Sequence, residues 1–471
     1  MTATTAAPAA DVRRAFSWRF TAPLFVGSAL NPINSSLIAT ALVPIAAGLH
    51  VPVGRTAVLV SALYLATAIG QPTAGKLSEE LGPRRVFLAG IVAVLAGGVV
   101  GGLAGDLAAL VVARILIGIG TATAYPSAML LIRRRADEVG LDQPPGSVLG
   151  GLVIAGTVTA AAGLPLGGVL VGAWGWRITF LINIPVALAA FAAAAVWIPR
   201  DPAPDRPRTP RGVAAAIDLT GIAGFGGAMA ALLVFLLSLP RPDWIALGVA
   251  VAVGAALVWW ELRVARPFFD VRLLAANLPL TRTYLRYAVA TMCMYTVLYG
   301  VTQWIEAARG ASAQEAGLLL LPMTGVAALL VQPLAKRNLV RSPLIAAAVS
   351  CLAGSLGVLL LTSASPIAGI LAVTLVFGIT TGTAATANQT TLYGQAAADQ
   401  IGTASGLLRS FGYLGSIASS AVISVVFRTR ADDHGLHTIG WAMAAVSVAG
   451  LLLLVTDRGI LRQARGRAPS R

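Results

Sequence analysis

Gly75-Lys76-Leu77-Ser78-Glu79-Glu80-Leu81-Gly82-Pro83-Arg84-Arg85 is a short polar turn between two apolar runs, 53–76 and 84–104. Each run has the length of a membrane helix, because about 20 mostly apolar residues cross a hydrocarbon core roughly 30 Å thick. The glycines Gly75 and Gly82 allow a tight turn. The acid Glu79, beside helix ends and the pair Arg84 and Arg85, can latch that turn by charge-assisted hydrogen bonds. Apolar helix, basic turn, apolar helix is the unit from which the rest of the chain reads.

Such runs recur along all 471 residues, of which 57% are hydrophobic and 11% charged, with a mean hydropathy of +0.81. A soluble domain carries roughly a quarter charged residues, so a globular fold cannot hide this apolar surface. Lipid offers no partner to open backbone polar groups, and the runs are too long for barrel strands, so an all-α membrane protein is predicted. The first set of helices falls at 18–46, 53–76, 84–104, 106–132, 146–172 and 177–198, within an N-terminal six-helix half over 18–198. Residues 199–216, rich in proline and arginine, read as a solvated linker. Two additional helices follow at 217–239 and 243–262 (217–262), then a loop over 263–278. A C-terminal six-helix half over 279–456 holds helices at 279–306, 313–334, 342–363, 366–393, 402–428 and 437–456. Segments 1–17 and 457–471 are the two ends.

The net charge of +15 would suggest nucleic acid in a soluble protein; here its placement orients the chain in the bilayer, and no nucleic acid is expected. With the N-terminus inside, alternate loops on the cytoplasmic side hold 25 of the 34 Lys and Arg, and the outer loops six. Cytoplasmic loops are enriched in basic residues. Fourteen helices with both ends in the cytoplasm, in the cell inner (plasma) membrane, follow. The remaining three arginines, Arg114, Arg286 and Arg409, lie within helices. Cys293 and Cys351 both fall in apolar helices, so neither a disulfide nor a thiolate site is expected. Arg13-Arg14 reads as the basic flank of a retained first helix rather than an export signal, and Asp432-Asp433-His434 with His437 as a loop rather than a metal site. No cofactor or metal is predicted.

The opening turn, with Glu79 where aspartate is usual, resembles the signature loop between helices 2 and 3 of the major facilitator superfamily. The fourth helix reads Leu110-x3-Arg114-x3-Gly118-x-Gly120, which resembles that family's helix-4 motif. In the fifth helix Thr159, Gly163, Pro165, Gly167 and Gly168 look like the antiporter motif of drug exporters, except that Leu164 separates Gly163 from the proline. Gly402, Gly406 and Ser410 give helix 13 a similar face. Trp176-Arg177-Ile178-Thr179-Phe180-Leu181-Ile182-Asn183-Ile184-Pro185 is very like the corresponding stretch of fourteen-helix drug:proton antiporters. Gln303, Gly310, Ser312, Ala316, Gly317 and Pro322 follow that family's second-half pattern. The resemblance covers about residues 16–456 and implies two six-helix halves, alternating access, a small-molecule cargo, proton exchange and no enzymatic activity.

One departure bears on mechanism. Where the family usually has an acid in helix 1, this chain has Asn34, which cannot titrate. None of the 19 acids lies in the middle third of a predicted helix. An arginine within a lipid-spanning helix costs at least ~2.5 kcal/mol, so Arg114 is expected to face the bundle interior. The polar residues Asn31, Asn34, Ser35, Arg114, Tyr295, Tyr299, Gln303, Asn388 and Gln389 are expected to line a cavity between the halves, since polar groups in hydrocarbon are costly. By elimination, coupling is expected through Arg114 and a peripheral acid, Glu306 first and Asp106 next. Export of amphipathic or hydrophobic molecules by a monomer is the leading reading. Movement of lipid-like molecules, or a non-transporting membrane sensor, is the alternative.

Overall fold

The computed structural model describes residues 14–141, 145–202, 217–238, 241–265, 267–268, 271–337, 339–395 and 401–457, with 212 and 214. The segment 1–13, most of the linker 199–216 and the segment 458–471 lie outside the described residues. Every regular element among those described is helical.

The first half comprises α1 (Trp18–Leu37), α2 (Ala57–Leu81), α3 (Pro83–Leu103), α4 (Leu107–Glu138), α5 (Gly146–Trp174) and α6 (Asn183–Trp197). Next come α7 (Leu219–Ser238) and α8 (Trp244–Glu261). The second half comprises α9 (Leu278–Thr296), α10 (Ala313–Arg337), α11 (Arg341–Val358), α12 (Ile367–Gln395), α13 (Ile401–Val426) and α14 (Asp433–Val455). Local chemistry sets several ends. Asp106, Asp432, Asp243 and Asn277 cap helix N-termini with their side chains. Pro83 opens α3 immediately after Gly82, whose φ of +100° favours glycine.

Two helices are broken. After α1 the chain passes through a 3-10 turn, Ile38–Ala41, into a short helix, Leu42–Gly48. α5 bends by 41° between Ile154–Ala160 and Ala162–Trp174. Proline disturbs the carbonyl four residues before it, which for Pro165 is that of residue 161, at the bend.

Among the described residues ten helices are long and apolar enough to cross a membrane, eleven if the bent α5 is one span. α7, whose apolar stretch Leu219–Phe235 is shorter, falls outside that set, as do α9 and α13 on account of their polar residues. Their polar groups are turned inward: Thr283, Arg286, Thr291 and Thr296 on α9, and Ser410, Ser416, Ser419 and Ser420 on α13, are all buried.

The halves repeat one another. α1 packs along α5 as α9 packs along α13, and α3 with α2 flanks α4 as α11 with α10 flanks α12. The halves meet where α2 lies on α13 and α5 on α10, and α7 rests across the α2–α13 seam with α8 packed outside it. The chain enters α1 and leaves α14 at one end of the bundle, where Trp18 packs on Trp197 and Arg286 reaches Asp457.

Candidate functional site

Arg114 is 1% exposed on α4. Its Nε donates to the Leu59 carbonyl of α2 at 3.1 Å, and its Nη1 to the Asn34 carbonyl of α1 at 3.3 Å. Nη2 is buried with no partner among the described residues, and no carboxylate among them pairs with this guanidinium. The next carbonyl along α1, that of Ser35, accepts the Tyr299 hydroxyl at 2.9 Å, and the Tyr299 and Tyr64 hydroxyls lie 3.0 Å apart. Guanidinium and tyrosine pair are thus seated on consecutive carbonyls just before the 3-10 turn.

The tyrosines form a cluster across the seam between the halves. Tyr295 stacks on Tyr299 with ring centroids 5.7 Å apart and planes 8° apart, and lies 4.9 Å from Tyr64. Tyr413 of α13 stacks on Tyr64 at 5.6 Å, and its hydroxyl accepts from Gln71 of α2 at 2.9 Å. A π-helical turn, Val297–Val301, interrupts helix 9 at Tyr299, and such bulges are frequent at functional sites.

The other residues expected to line the cavity have diverse positions. Asn31 donates to Thr121 at 2.9 Å and Thr67 at 3.3 Å, tying α1 to α4 and α2. Asn34 turns its side chain away from the seam and exchanges amide hydrogen bonds with Asn183 of α6, at 2.7 and 3.0 Å. Asn183 stands in the Trp176–Pro185 stretch, but sequence reasoning gave it no role. Ser35 bonds back to the Asn31 carbonyl at 2.9 Å. Gln303 is fully buried and Glu306 is 7% exposed; among the described residues both amide atoms of Gln303 and Oε1 of Glu306 have no partner. Both stand on Thr302–Arg309, a helix packed against Ile38–Ala41, Leu42–Gly48 and α10. Asn388 lies inside the second half, lining with Arg286, Cys351 and Ser447 a cavity of about 30 Å³. Gln389 is half-buried beside it. Asp106 is exposed and caps α4 by accepting from Ala109 N at 2.8 Å.

In the α2–α3 turn Glu79 is exposed, and the acid seated on the turn is Asp201, just past α6. Its carboxylate accepts from Arg84 N at 3.2 Å and Arg85 N at 2.9 Å and pairs with Arg134 at 3.4 Å. Gly82 abuts it so closely that a Cβ there would meet the carboxylate. Gly75 is half-buried near Pro126. Asp201 follows a helix end in the proline-rich stretch, and only folding brings it to a turn some 116 residues away. In the α5 motif Thr159 bonds back to the Ala155 carbonyl at 2.7 Å. Gly163 and Gly167 bring α5 onto α1 at Ser36 and Leu37, while Gly168 faces α10. For Gly402 and Gly406 the side-chain positions lie outside the described residues.

The halves contact each other differently at the two ends. At the end remote from α1's start, Gly54 N donates to the Phe427 carbonyl at 2.9 Å. A Cβ at Gly168 would lie 2.6 Å from the Ala313 carbonyl, and one at Gly317 2.6 Å from that of Leu164. Ser61 and Ser420 hydroxyls bond across the seam. Toward the other end the halves touch through long side chains: Arg409 lies 3.9 Å over the Tyr125 ring, and Gln71 reaches the Tyr413 hydroxyl at 2.9 Å.

Two repeated helical halves, meeting on a buried cation and an aromatic cluster and locked at one end by backbone contact, have the architecture of a membrane carrier. The family model of the Major Facilitator Superfamily matches residues 24–420, and the chain belongs to that superfamily: it is a multi-pass membrane transporter, not an enzyme. It is 29% identical over 443 residues, 93% of this chain and 96% of the relative, to the uncharacterized MFS-type transporter YwoD of Bacillus subtilis. It is 31% identical over 314 residues, 66% of this chain and 56% of the relative, to the tetracenomycin C resistance and export protein of Streptomyces glaucescens. With the multidrug resistance protein Stp of Mycobacterium tuberculosis it shares 29% identity over 287 residues, 59% of this chain and 50% of that one. Among solved structures, a peptide transporter POT in complex with sulfate superposes with a TM-score of 0.65 at 17% identity, covering 94% of this chain and 95% of the other. The nucleoside transporter NupG does so at 0.63 and 10%, over 93% and 99%. These likenesses show the fold.

Proposed function

We propose that this chain is a fourteen-helix secondary transporter of the cell inner membrane, with both termini cytoplasmic, that exports amphipathic or hydrophobic small molecules by alternating access in exchange for protons. The observation that carries the reading is the asymmetric seam. Backbone packs on backbone at the remote end, through Gly54, Gly168 and Gly317, whereas long side chains bridge the end that holds the termini. A seam of that kind opens alternately at its two ends without unfolding either half, as expected of carriers whose site lies between repeats. The basic loops support placing the terminal end in the cytoplasm, and relatives named for export and drug resistance support the direction and cargo.

Glu306 is the coupling carboxylate of this reading. It is buried on the segment that packs against helix 1 near the remote gate, with one oxygen unpartnered, so opening that gate would expose it to outside protons. Uptake of a fluorescent amphipathic compound panel into energised inverted vesicles tests the whole: accumulation abolished by an uncoupler is expected. Glu306→Gln should retain binding but lose the uncoupler-sensitive component. Unchanged uncoupler-sensitive accumulation in that variant would remove Glu306 from the mechanism.

A further inference from the structure

A guanidinium cannot deprotonate in a protein and carries its charge wherever it is buried. The carbonyls of Leu59 and Asn34 orient Arg114 but are neutral, and buried charges are ordinarily paired. The companion arginine in the second half obeys that rule, since Arg286 meets Asp457 at 2.8 Å with both side chains buried. Arg114 does not: Asn34, the side chain beside it on α1, is an amide engaged with Asn183, and Nη2 faces no acceptor. Among the described residues nothing supplies a countercharge at this position.

The groups gathered around the guanidinium describe the visitor. The Tyr299 hydroxyl rests on the carbonyl adjoining the one that holds Nη1. Beyond it the rings of Tyr64, Tyr295 and Tyr413 present flat faces, Tyr295 and Tyr413 being only partly buried. Offset stacking on such faces favours planar rings, and a guanidinium edge favours carboxylate or another ionised oxygen acid.

We propose that the cargo class is planar aromatic acids, bound with the ionised group on Nη2 of Arg114 and the ring against the tyrosine cluster. This rests on the transport reading and narrows it: the acid supplies the charge that helix 1 lacks, and its release leaves Arg114 uncompensated and ready for the next molecule.

The test is equilibrium binding to the full-length protein in lipid nanodiscs, by fluorescence anisotropy, of an anthracene carboxylate, its methyl ester and the corresponding aminomethyl compound. The wild type is expected to bind the carboxylate roughly tenfold to a hundredfold more tightly than the ester, as suits a charge-assisted contact. Arg114→Gln should erase that preference and Arg114→Lys keep part of it. The comparison among the three compounds stands on the wild type alone if a variant fails to fold. Equal binding of acid and ester, or preference for the amine, overturns the proposal, as does a preference for the acid that survives in Arg114→Gln. Uptake of the same compounds into energised inverted vesicles separates the two readings. Acid-selective binding with no movement of any compound would keep the site and sink transport. Movement of ester and amine without acid selectivity would keep transport and sink the site.

Discussion

Arg114 and Arg286 are the same residue type, each buried within a helix, one per half, yet the protein treats them oppositely. Arg286 spends Nη1 on Asp457 and Nη2 on Thr283, at 2.8 Å each, closing α9 onto the chain just past α14. Among the described residues Arg114 has only carbonyls; each arginine keeps one partnerless nitrogen, Nη2 of Arg114 and Nε of Arg286, so what sets them apart is the acid. A paired interior charge is a clamp, whose removal harms the fold; an unpaired one is poised for a ligand, and its removal harms function.

Substitutions can break that contrast. Arg286→Ala should have the largest effect on the molecule itself, about 3–5 kcal/mol of stability, because it removes one partner of a buried ion pair. Thermal unfolding in detergent reads this out, and the double change Arg286→Met with Asp457→Leu should recover most of the loss. If the single and double variants are equally unstable, the pair is not the clamp described here. Arg114→Ala should insert and unfold nearly as the wild type does, yet lose transport roughly tenfold or more, the worth of a charge-assisted contact. A normal transport rate at normal abundance would make it a structural cation like Arg286. The asparagine pair sharpens the comparison with a smaller effect. Asn183→Ala leaves Asn34 Oδ1 without its donor, while Nδ2 keeps the Leu30 carbonyl, and should cost about 1–3 kcal/mol, most of it shared with Asn34→Ala in a double-mutant cycle. Additive losses would mean that Asn34 acts elsewhere, as a cavity residue.

Membrane helices, their order and the interior position of Arg114 were legible in the sequence because lipid penalises every exception along a single chain. Partnership was not legible. Asp201, Asn183, Asp457 and Tyr64 act through contacts 67 or more residues distant, and nothing in local spacing separates them from neighbours of like type. Glu79 has the position that the loop pattern suggests for a latch, but the backbone of Arg84 and Arg85 points toward Asp201. Asn388 and Asn34 were polar interruptions of apolar helices, which establishes inward orientation; whether inward means the seam or the core of one half depends on rotation about the helix axis, which packing decides. Leu164, standing between Gly163 and Pro165, left the kink position in α5 open in the sequence, and the structure sets the bend at residue 161, four residues before the proline.

Alternating access requires the halves to part at the end sealed by Gly54, Ser61, Ser420 and Phe427. It is tested most directly by joining them there. Ser61→Cys with Ser420→Cys, in a background with Cys293 and Cys351 replaced by serine, puts two thiols where the hydroxyls now bond across α2 and α13. Oxidation to the cross-linked form should abolish transport in vesicles, and reduction should restore it; full transport by the quantitatively cross-linked protein would contradict the account.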